Sequence, residues 1–255
     1  VYDTRANTPK SEIDQRIAHL KSQLAENQID AALFLQRADL FYFSGTIQEA
    51  HLYVPLDEAP VLMVYKNFDR AIAESPLSRI VPLTSPKAIP EILNQFDFPS
   101  PQTIGMELDV LPVNLYRNYQ RMFEDRQLVD VSHLIRLVRA LKSPYEIDIM
   151  RQAAKLSDAV AEQVPALLRE GMTELELAGQ VEAEARKRGH QGVVRMRLWG
   201  SEMFYGHLMA GPSGAVPSFL SSPTGGIGAS PAVAQGPGFR PIQRHQPVLI
   251  DYVFA

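Results

Sequence analysis

The sequence predicts an α/β protein of the α+β type, in which two domains follow one another along the chain. Over the first 141 residues, helical and strand-like patterns alternate, which is typical of a mixed sheet covered by helices. Two helices with complete start signals follow, and a strand-like run comes near the end. The chain has 255 residues, of which 45% are hydrophobic, enough for two cores. We therefore predict domains at 1–141 and 142–255.

The bulk composition excludes several classes of protein. The formal net charge of −4 gives no indication of nucleic acid or anionic membrane as a partner. No stretch of about 18 apolar residues could span a bilayer, and the start of the chain lacks the apolar segment of a signal peptide, so the sequence favours a cytoplasmic protein. Since there are no cysteines, any metal ligands must be carboxylate, imidazole or carbonyl groups, which suit Mn, Mg, Co, Fe or Zn.

The first domain can be assigned element by element. Apolar residues at helical spacing predict a helix over residues 13–24, and the run IDAALFL predicts a strand after it. The stretch AHLYVPLDEAPVLMVYK predicts an antiparallel hairpin with its turn at Asp57-Glu58. Three more strands are expected in SRIVPL, TIGMEL and QLVDV, and two helices in KAIPEILNQF and PVNLYRNYQRMF.

The second domain is predicted to begin with two capped helices. In SPYE, Ser143 can cap a helix, proline suits the first turn, and Glu146 can reach back as a capping box, so a helix is expected to about Gly171. TELE repeats this signal, and its helix is expected to end at Gly189. The strand-like run VVRMRLW follows, which favours helices on one face of a sheet.

A glycine-rich segment lies between residues 206 and 241. It holds 8 of the 15 glycines, a composition compatible with a flexible linker. Aromatic residues such as Phe219 and Phe239 lie within it, and they favour an ordered binding loop instead.

The last twelve residues, RHQPVLIDYVFA, contain an acid inside an apolar strand-like run. Val248, Ile250 and Tyr252 would share one face of a strand, and Asp251 would lie on the other. The carboxylate could face solvent, or it could be partly buried, in which case it would need a cation such as a divalent metal. One carboxylate cannot hold a catalytic metal, and the sequence shows no second cluster with ligand spacing.

Six blocks of sequence together resemble a known family. In order they are RIAHLKSQLAENQIDAALFL with FYFSG, TIGMELD, LVDVSHLIRLVRALKSPYEIDIMRQAAKLSD, GMTELELAGQVEAEARKRG, AGPSGAVPS and QPVLIDY. Their order and spacing are similar to those of the pita-bread metallopeptidases, which include Xaa-Pro aminopeptidases, prolidases, methionine aminopeptidases and the metal-free creatinases. The resemblance implies a creatinase-like N-terminal domain followed by the first half of a pita-bread catalytic domain.

The resemblance also implies a reaction and a metal ligand. Asp251 matches the first of five ligands that such enzymes share between two divalent ions, here Mn, Co or Zn. The other four lie further along the relatives, so we expect an incomplete chain that alone binds no metal tightly and hydrolyses nothing. The complete protein is expected to be an Xaa-Pro aminopeptidase or dipeptidase acting on short peptides, and a homodimer.

One position departs from the family pattern. Relatives that cleave Xaa-Pro bonds carry histidine where this sequence has Ser218, and that histidine contacts substrate. His207 could reach into the same cleft as a substrate-binding residue, or it could be a structural histidine. Ser218 leaves open a creatinase-type C–N hydrolase. A non-catalytic pita-bread protein that binds partners is a further alternative, which the presence of Asp251 disfavours.

Other polar residues are interpreted as structural. His190 follows a helix end and is expected to be a charge at the helix terminus, while His245 is expected to be solvated. Arg136, Arg139 and Lys142 lie at helical spacing and are expected to form a solvated or inter-domain face.

Overall fold

The structure, a computed structural model, describes residues 7–197, 205–220, 222 and 224–253. These residues form two units. The first contains residues 7–142 together with Arg197, and the second contains residues 143–196 and 205–253. Within the described residues, no helix is both long enough and apolar enough to cross a membrane.

The first unit is built on a six-stranded mixed sheet. Its strands are β1 (Ala31–Phe34), β2 (Ala50–Pro55), β3 (Val61–Val64), β4 (Ile80–Pro82), β5 (Thr103–Met106) and β6 (Gln127–Asp130). The spatial order is β4-β3-β2-β1-β5-β6, in which β2 runs antiparallel to both β1 and β3 while the other neighbours are parallel. The predicted mixed sheet and the predicted hairpin of β2 and β3 are therefore confirmed.

Helices cover both faces of this sheet. They are α1 (Lys10–Glu26), α2 (Arg37–Ser44), α3 (Phe68–Glu74), α4 (Ile89–Asn94), α5 (Val113–Met122) and α6 (Ser132–Ala140). Apolar residues of α1, α2, α3 and α6 form one core with one face of the sheet, and those of α4 and α5 form a second core with the other. The helical spacing predicted from residue 13 is confirmed, because Ile13, Ile17, Leu20 and Leu24 are all buried.

The described residues of the second unit form three α-helices, a short 3₁₀ helix and a two-stranded ribbon. Its elements are α7 (Pro144–Ala161), α8 (Val164–Leu167), α9 (Glu174–Lys187), β7 (Gly206–Ala210) and β8 (Val248–Tyr252). Leu177 and Val181 of α9 are buried with Leu208 of β7 in one core. Both predicted capping boxes are present, at Ser143 for α7 and at Thr173 for α9.

The first of these helices ends earlier than predicted. We expected it to continue to about Gly171, but α7 ends at Ala161 and only the short α8 follows. Pro165 accounts for the break, because proline has no N–H to donate and its ring clashes with the carbonyl four residues before it, which here belongs to Ala161. The expected strand VVRMRLW is also wrong over residues 193–197, which form no strand, and its last two residues lie outside the described part.

His190 is not a charged residue at a helix terminus. Its side chain is only 2% exposed and stacks on the Tyr205 ring at a centroid distance of 4.4 Å. The Gly192 N–H donates to Nδ1 at 2.8 Å, and Nε2 lies 3.1 Å from the Val253 carbonyl oxygen. One ring nitrogen therefore accepts and the other donates, which describes a neutral imidazole. His245 is exposed, as expected.

Two of the three basic residues predicted as a face form ion pairs within the first unit. Arg139 donates to Asp39 at 2.8 Å, and Arg136 donates to Asp109 at 2.8 Å. Asp39 is fully buried and also accepts from Arg197 at 2.5 Å, so two guanidinium groups neutralise its charge. Arg139 is thus a partner of a buried acid rather than a solvated charge.

Candidate functional site

Strands β7 and β8 bring the two sequence-predicted site residues together. They pair antiparallel, and the register places His207 directly opposite Asp251. Residues that face each other across an antiparallel pair have their Cβ atoms about 4.5–5.5 Å apart and project on the same side. The imidazole and the carboxylate are therefore neighbours, although 44 positions separate them along the chain.

The ribbon has one face toward the core and one away from it. Val248, Ile250 and Tyr252 pack against the core that contains Leu208 and Ala210. Because side chains alternate along a strand, Asp251 and His207 lie on the opposite face. The predicted division of the strand into two faces is confirmed for the described residues.

The Asp251 carboxylate is exposed rather than partly buried. Burial therefore does not require a cation to neutralise its charge. The carboxylate makes no ion pair and no side-chain hydrogen bond within the described ranges, so its oxygens remain open to a ligand. Carboxylate and imidazole are suitable donors for Mn, Co or Zn. However, the described residues contain no group of three or more His, Cys, Asp or Glu side chains that could hold a metal. The donors thus fit a divalent metal in kind but not in number, since catalytic sites use at least three protein ligands.

The glycine-rich segment is an ordered loop where the structure describes it. The N–H groups of Gly225 and Gly226 both donate to the Val216 carbonyl at 3.0 Å, and the Gly236 N–H donates to Gly225 at 2.8 Å. A Cβ atom on Gly226 would lie 2.7 Å from the Met209 sulfur, and this residue has a φ of +84°. Only glycine fits there, because both the close approach to β7 and the left-handed backbone exclude a side chain.

A buried carboxylate fastens this loop to the ribbon. Glu174, the first residue of α9, is fully buried. Its Oε1 accepts from the Ala210 N–H at 2.8 Å and from the Ser213 hydroxyl, and its Oε2 accepts from the Gly238 N–H at 3.0 Å. One side chain therefore joins the end of β7, the 3₁₀ helix Gly211–Ala215 and the end of the loop.

Sequence reasoning missed Glu174. An acid in the first turn of a helix is ordinarily explained by the helix dipole alone. The sequence TELE is in addition typical of a capping box at the protein surface, so neither pattern indicates a buried Glu174. No local signal shows that three donors distant in sequence meet this carboxylate.

Ser218 is half-buried, and its hydroxyl accepts from the Leu220 N–H at 3.2 Å. This hydrogen bond belongs to a local turn. The hydroxyl cannot serve as a proton carrier in the way that an imidazole can at neutral pH.

Comparison with known families gives two matches along the chain. The creatinase/prolidase N-terminal domain matches residues 16–141, and metallopeptidase family M24 matches residues 148–255, the range that contains both His207 and Asp251. Together, the two matches make the chain similar to proteins that join a creatinase/prolidase N-terminal domain to an M24 metallopeptidase domain. The fold agrees, with a creatinase-like mixed-sheet unit followed by part of a pita-bread domain.

Individual M24 relatives are distant. An uncharacterised peptidase of Staphylococcus epidermidis is 27% identical over 244 residues, which cover 92% of this chain and 61% of that protein. A creatinase of a Bacillus species is 28% identical over 182 residues, covering 66% of this chain and 43% of that enzyme. The solved Xaa-Pro dipeptidase from Bacillus anthracis superposes with a TM-score of 0.76 at 19% identity, covering 95% of this chain and 61% of that one. The chain thus spans about three fifths of the length of the first and third of these proteins.

Proposed function

We propose that the whole protein is a metal-dependent peptidase that hydrolyses short peptides with proline after the cleaved bond. The observation that carries this proposal is the position of Asp251 on β8, directly opposite His207 and inside the M24 match. Its carboxylate is exposed and has no ion-pair partner among the described residues. Because Asp251 lies on the face of the ribbon away from the core, its carboxylate is accessible to a divalent ion, for which carboxylate oxygen is a suitable ligand.

Asp251 has a limited role in this proposal. It supplies one carboxylate to a site for two divalent ions, Mn, Co or Zn, whose remaining ligands come from outside these 255 residues. When bound, such ions lower the pKa of a bridging water and polarise the scissile carbonyl. His207, on the same face of the ribbon, contacts the substrate. The 255-residue chain alone is expected to bind no metal tightly, because the residues that the structure describes offer fewer ligands than a catalytic site requires.

A second candidate is a creatinase-type hydrolase that cleaves a non-peptide C–N bond. Ser218 favours this reaction, because a hydroxyl held in a local turn replaces the histidine of Xaa-Pro enzymes. The Bacillus creatinase is also similar to this chain, at 28% identity over 182 residues.

Hydrolysis assays on the whole protein distinguish these proposals. Alanyl-proline and creatine would be offered as substrates, with added Mn and with a chelator. We expect cleavage of alanyl-proline that the chelator abolishes. Cleavage of creatine alone would favour the second candidate, and activity unchanged by chelator would exclude the two-metal mechanism. Binding of an unrelated protein without any hydrolysis would favour the non-catalytic alternative.

The role of Asp251 has its own test. In Asp251→Asn the amide is neutral, and we expect Mn affinity, measured by isothermal titration of the whole protein, to fall at least about tenfold because a charged ligand is lost. Asp158→Asn is the matched control, because Asp158 is an exposed acid of the same unit on α7. Equal Mn affinities in the two variants would show that Asp251 is not a ligand.

We further propose that the whole protein is a cytoplasmic homodimer. The net charge of −4 supports neither nucleic acid nor an anionic membrane as a partner. Light scattering of the purified whole protein tests the dimer, and a monomeric mass at micromolar concentration would refute it.

A further inference from the structure

The first unit contains two adjoining clefts at one edge of its sheet. The larger has a volume of about 300 Å³ and the smaller about 150 Å³. Tyr53, Pro99, Ser100 and Pro101 line both, so the two clefts meet at these residues. A volume of about 300 Å³ is at the small end of the range for ligand pockets, which suits a ligand of a few heavy atoms.

Strand register places two opposite charges at this edge. Asp30 immediately precedes β1, and Arg126 immediately precedes β6. Strand β5 lies between β1 and β6 and is parallel to both, with Ile104 paired to Ala31 on one side and to Leu128 on the other. Residues that precede parallel neighbours lie at the same edge of a sheet. Asp30 lines the smaller cleft, and Arg126 lines the larger.

Tyr53 lines both clefts, and the charges of Asp30 and Arg126 both act on it. Its side chain is only 2% exposed, yet its hydroxyl makes no hydrogen bond within the described part of the chain. Burial raises the pKa of this phenol to about 12, with the Asp30 charge acting in the same direction and the Arg126 charge against it. The electrostatic fields of both charged groups thus reach the hydroxyl. Since the hydroxyl has no partner among the described residues and Tyr53 lines both clefts, it is available to a ligand there.

Hydrogen bonds hold both charged groups in position. The Asp30 Oδ2 accepts from the Gln102 and Thr103 N–H groups at 2.7 and 2.9 Å, while no donor within the described residues reaches Oδ1. Arg126 donates through Nη2 to the Ser100 hydroxyl at 2.5 Å and through Nη1 to the Asp125 carbonyl at 3.4 Å. Binding would therefore order little that is not already ordered, which favours affinity.

The remaining wall of the larger cleft is mainly apolar. Leu93, Phe98 and Met122 contribute side chains to it. Glu124 and Asp125 also line this cleft and are exposed, so they disfavour a ligand with net negative charge.

We propose that these clefts form a binding site for a small zwitterion with an apolar side chain, that is, a free apolar α-amino acid. Its carboxylate pairs with Arg126, its ammonium group pairs with Asp30, and the Tyr53 hydroxyl bonds to it. Its side chain contacts Leu93, Phe98 and Met122. Every residue of this site belongs to the first unit, and the inference does not depend on the proposed hydrolase activity.

Isothermal titration of the 255-residue chain tests the chemistry of the ligand. The probes are L-leucine, N-acetyl-L-leucine without the ammonium group, L-leucinamide without the carboxylate, and glycine without the apolar side chain. We expect leucine to bind and each of the other three to bind at least about tenfold more weakly, since each loses one class of contact. Equal affinity for leucine and N-acetyl-leucine, or no heat with leucine at about 10 mM, would overturn the proposal.

Variants test the residues. Tyr53→Phe removes only the hydroxyl and is expected to weaken leucine binding about fivefold, whereas Arg126→Gln should weaken it at least about tenfold. Tyr116→Phe and Arg121→Gln are the matched controls, because both residues are on α5 and neither lines a cleft. Circular dichroism verifies folding, and Tyr53→Phe remains informative if Arg126→Gln is unstable. Leucine affinity equal in Tyr53→Phe and Tyr116→Phe would contradict the site.

Discussion

The Glu174 carboxylate allows the most specific prediction about the second unit. In Glu174→Gln, an NH₂ group that donates replaces one oxygen that accepts. If the amide oxygen keeps the Ala210 N–H and the Ser213 hydroxyl, the amide nitrogen faces the Gly238 N–H, and two donors oppose each other in a buried place. Losing a hydrogen bond to a charged group and leaving a donor unsatisfied costs roughly 2–5 kcal/mol. The neutral amide is easier to desolvate, which offsets part of this loss and leaves about 2 kcal/mol.

Native-state hydrogen exchange measures this loss at the affected amides. A local destabilisation of about 2 kcal/mol corresponds to roughly 30-fold faster exchange at Ala210 and Gly238. Glu170→Gln is the matched control, since Glu170 is 57% exposed and pairs only with an exposed arginine, Arg244. If exchange at both amides is the same in Glu174→Gln and Glu170→Gln, the carboxylate does not fasten the loop and the reasoning is wrong.

Two further predictions concern stability. Burial lowers the pKa of His51 to about 4 from its ordinary 6.5, and its Nε2 lies 2.5 Å from the Tyr119 hydroxyl. As the pH drops from 6.5 to 4, the unfolded chain therefore binds a proton at His51 before the folded protein does. The free energy of unfolding should fall by up to about 3 kcal/mol over this range. Urea titrations of wild type and His51→Gln should diverge across this window, and parallel curves would contradict the assignment. Gly105→Ala should lower the free energy of unfolding by about 1–3 kcal/mol, because the new Cβ would lie 2.3 Å from a Val131 side-chain carbon. Gly179→Ala in α9 should raise the free energy of unfolding by about 0.5–1 kcal/mol, because the new Cβ would meet no atom within 4 Å and alanine favours the helix. Thermal unfolding shifts of the same sign in both glycine variants would refute this contrast.

The parts of the fold that depend on neighbouring residues could be predicted from the sequence. Ser143 and Glu146 form a capping box because both partners lie within one turn, and the hairpin follows from alternation on either side of Asp57. The end of α7 was misplaced although its cause is also local. The expected end at Gly171 depends on the glycine cap alone, whereas Pro165 interrupts the helix before that glycine is reached.

The parts that depend on distant residues could not be predicted. Loop path and strand order bring distant residues into contact, as in the hydrogen bond from Gly238 to Glu174 and the ion pair of Arg139 with Asp39. Strand order also places Asp30 and Arg126 at the same edge of the sheet. Pairing of His207 with Asp251 was not expected either, because Asp251 was assigned by resemblance and His207 only as a substitute for the histidine that Ser218 replaces. Periodicity gave the correct face for Asp251 but could not decide between an exposed and a partly buried carboxylate. That depends on what covers the strand.

The most direct test of the central claim is a crystal structure of the whole protein with Mn, recorded at a wavelength where Mn scatters anomalously. We predict an anomalous peak about 2.0–2.2 Å from a carboxylate oxygen of Asp251, on the same side of the ribbon as His207. An ordered Mn site elsewhere, with the Asp251 carboxylate turned to solvent, would contradict the account.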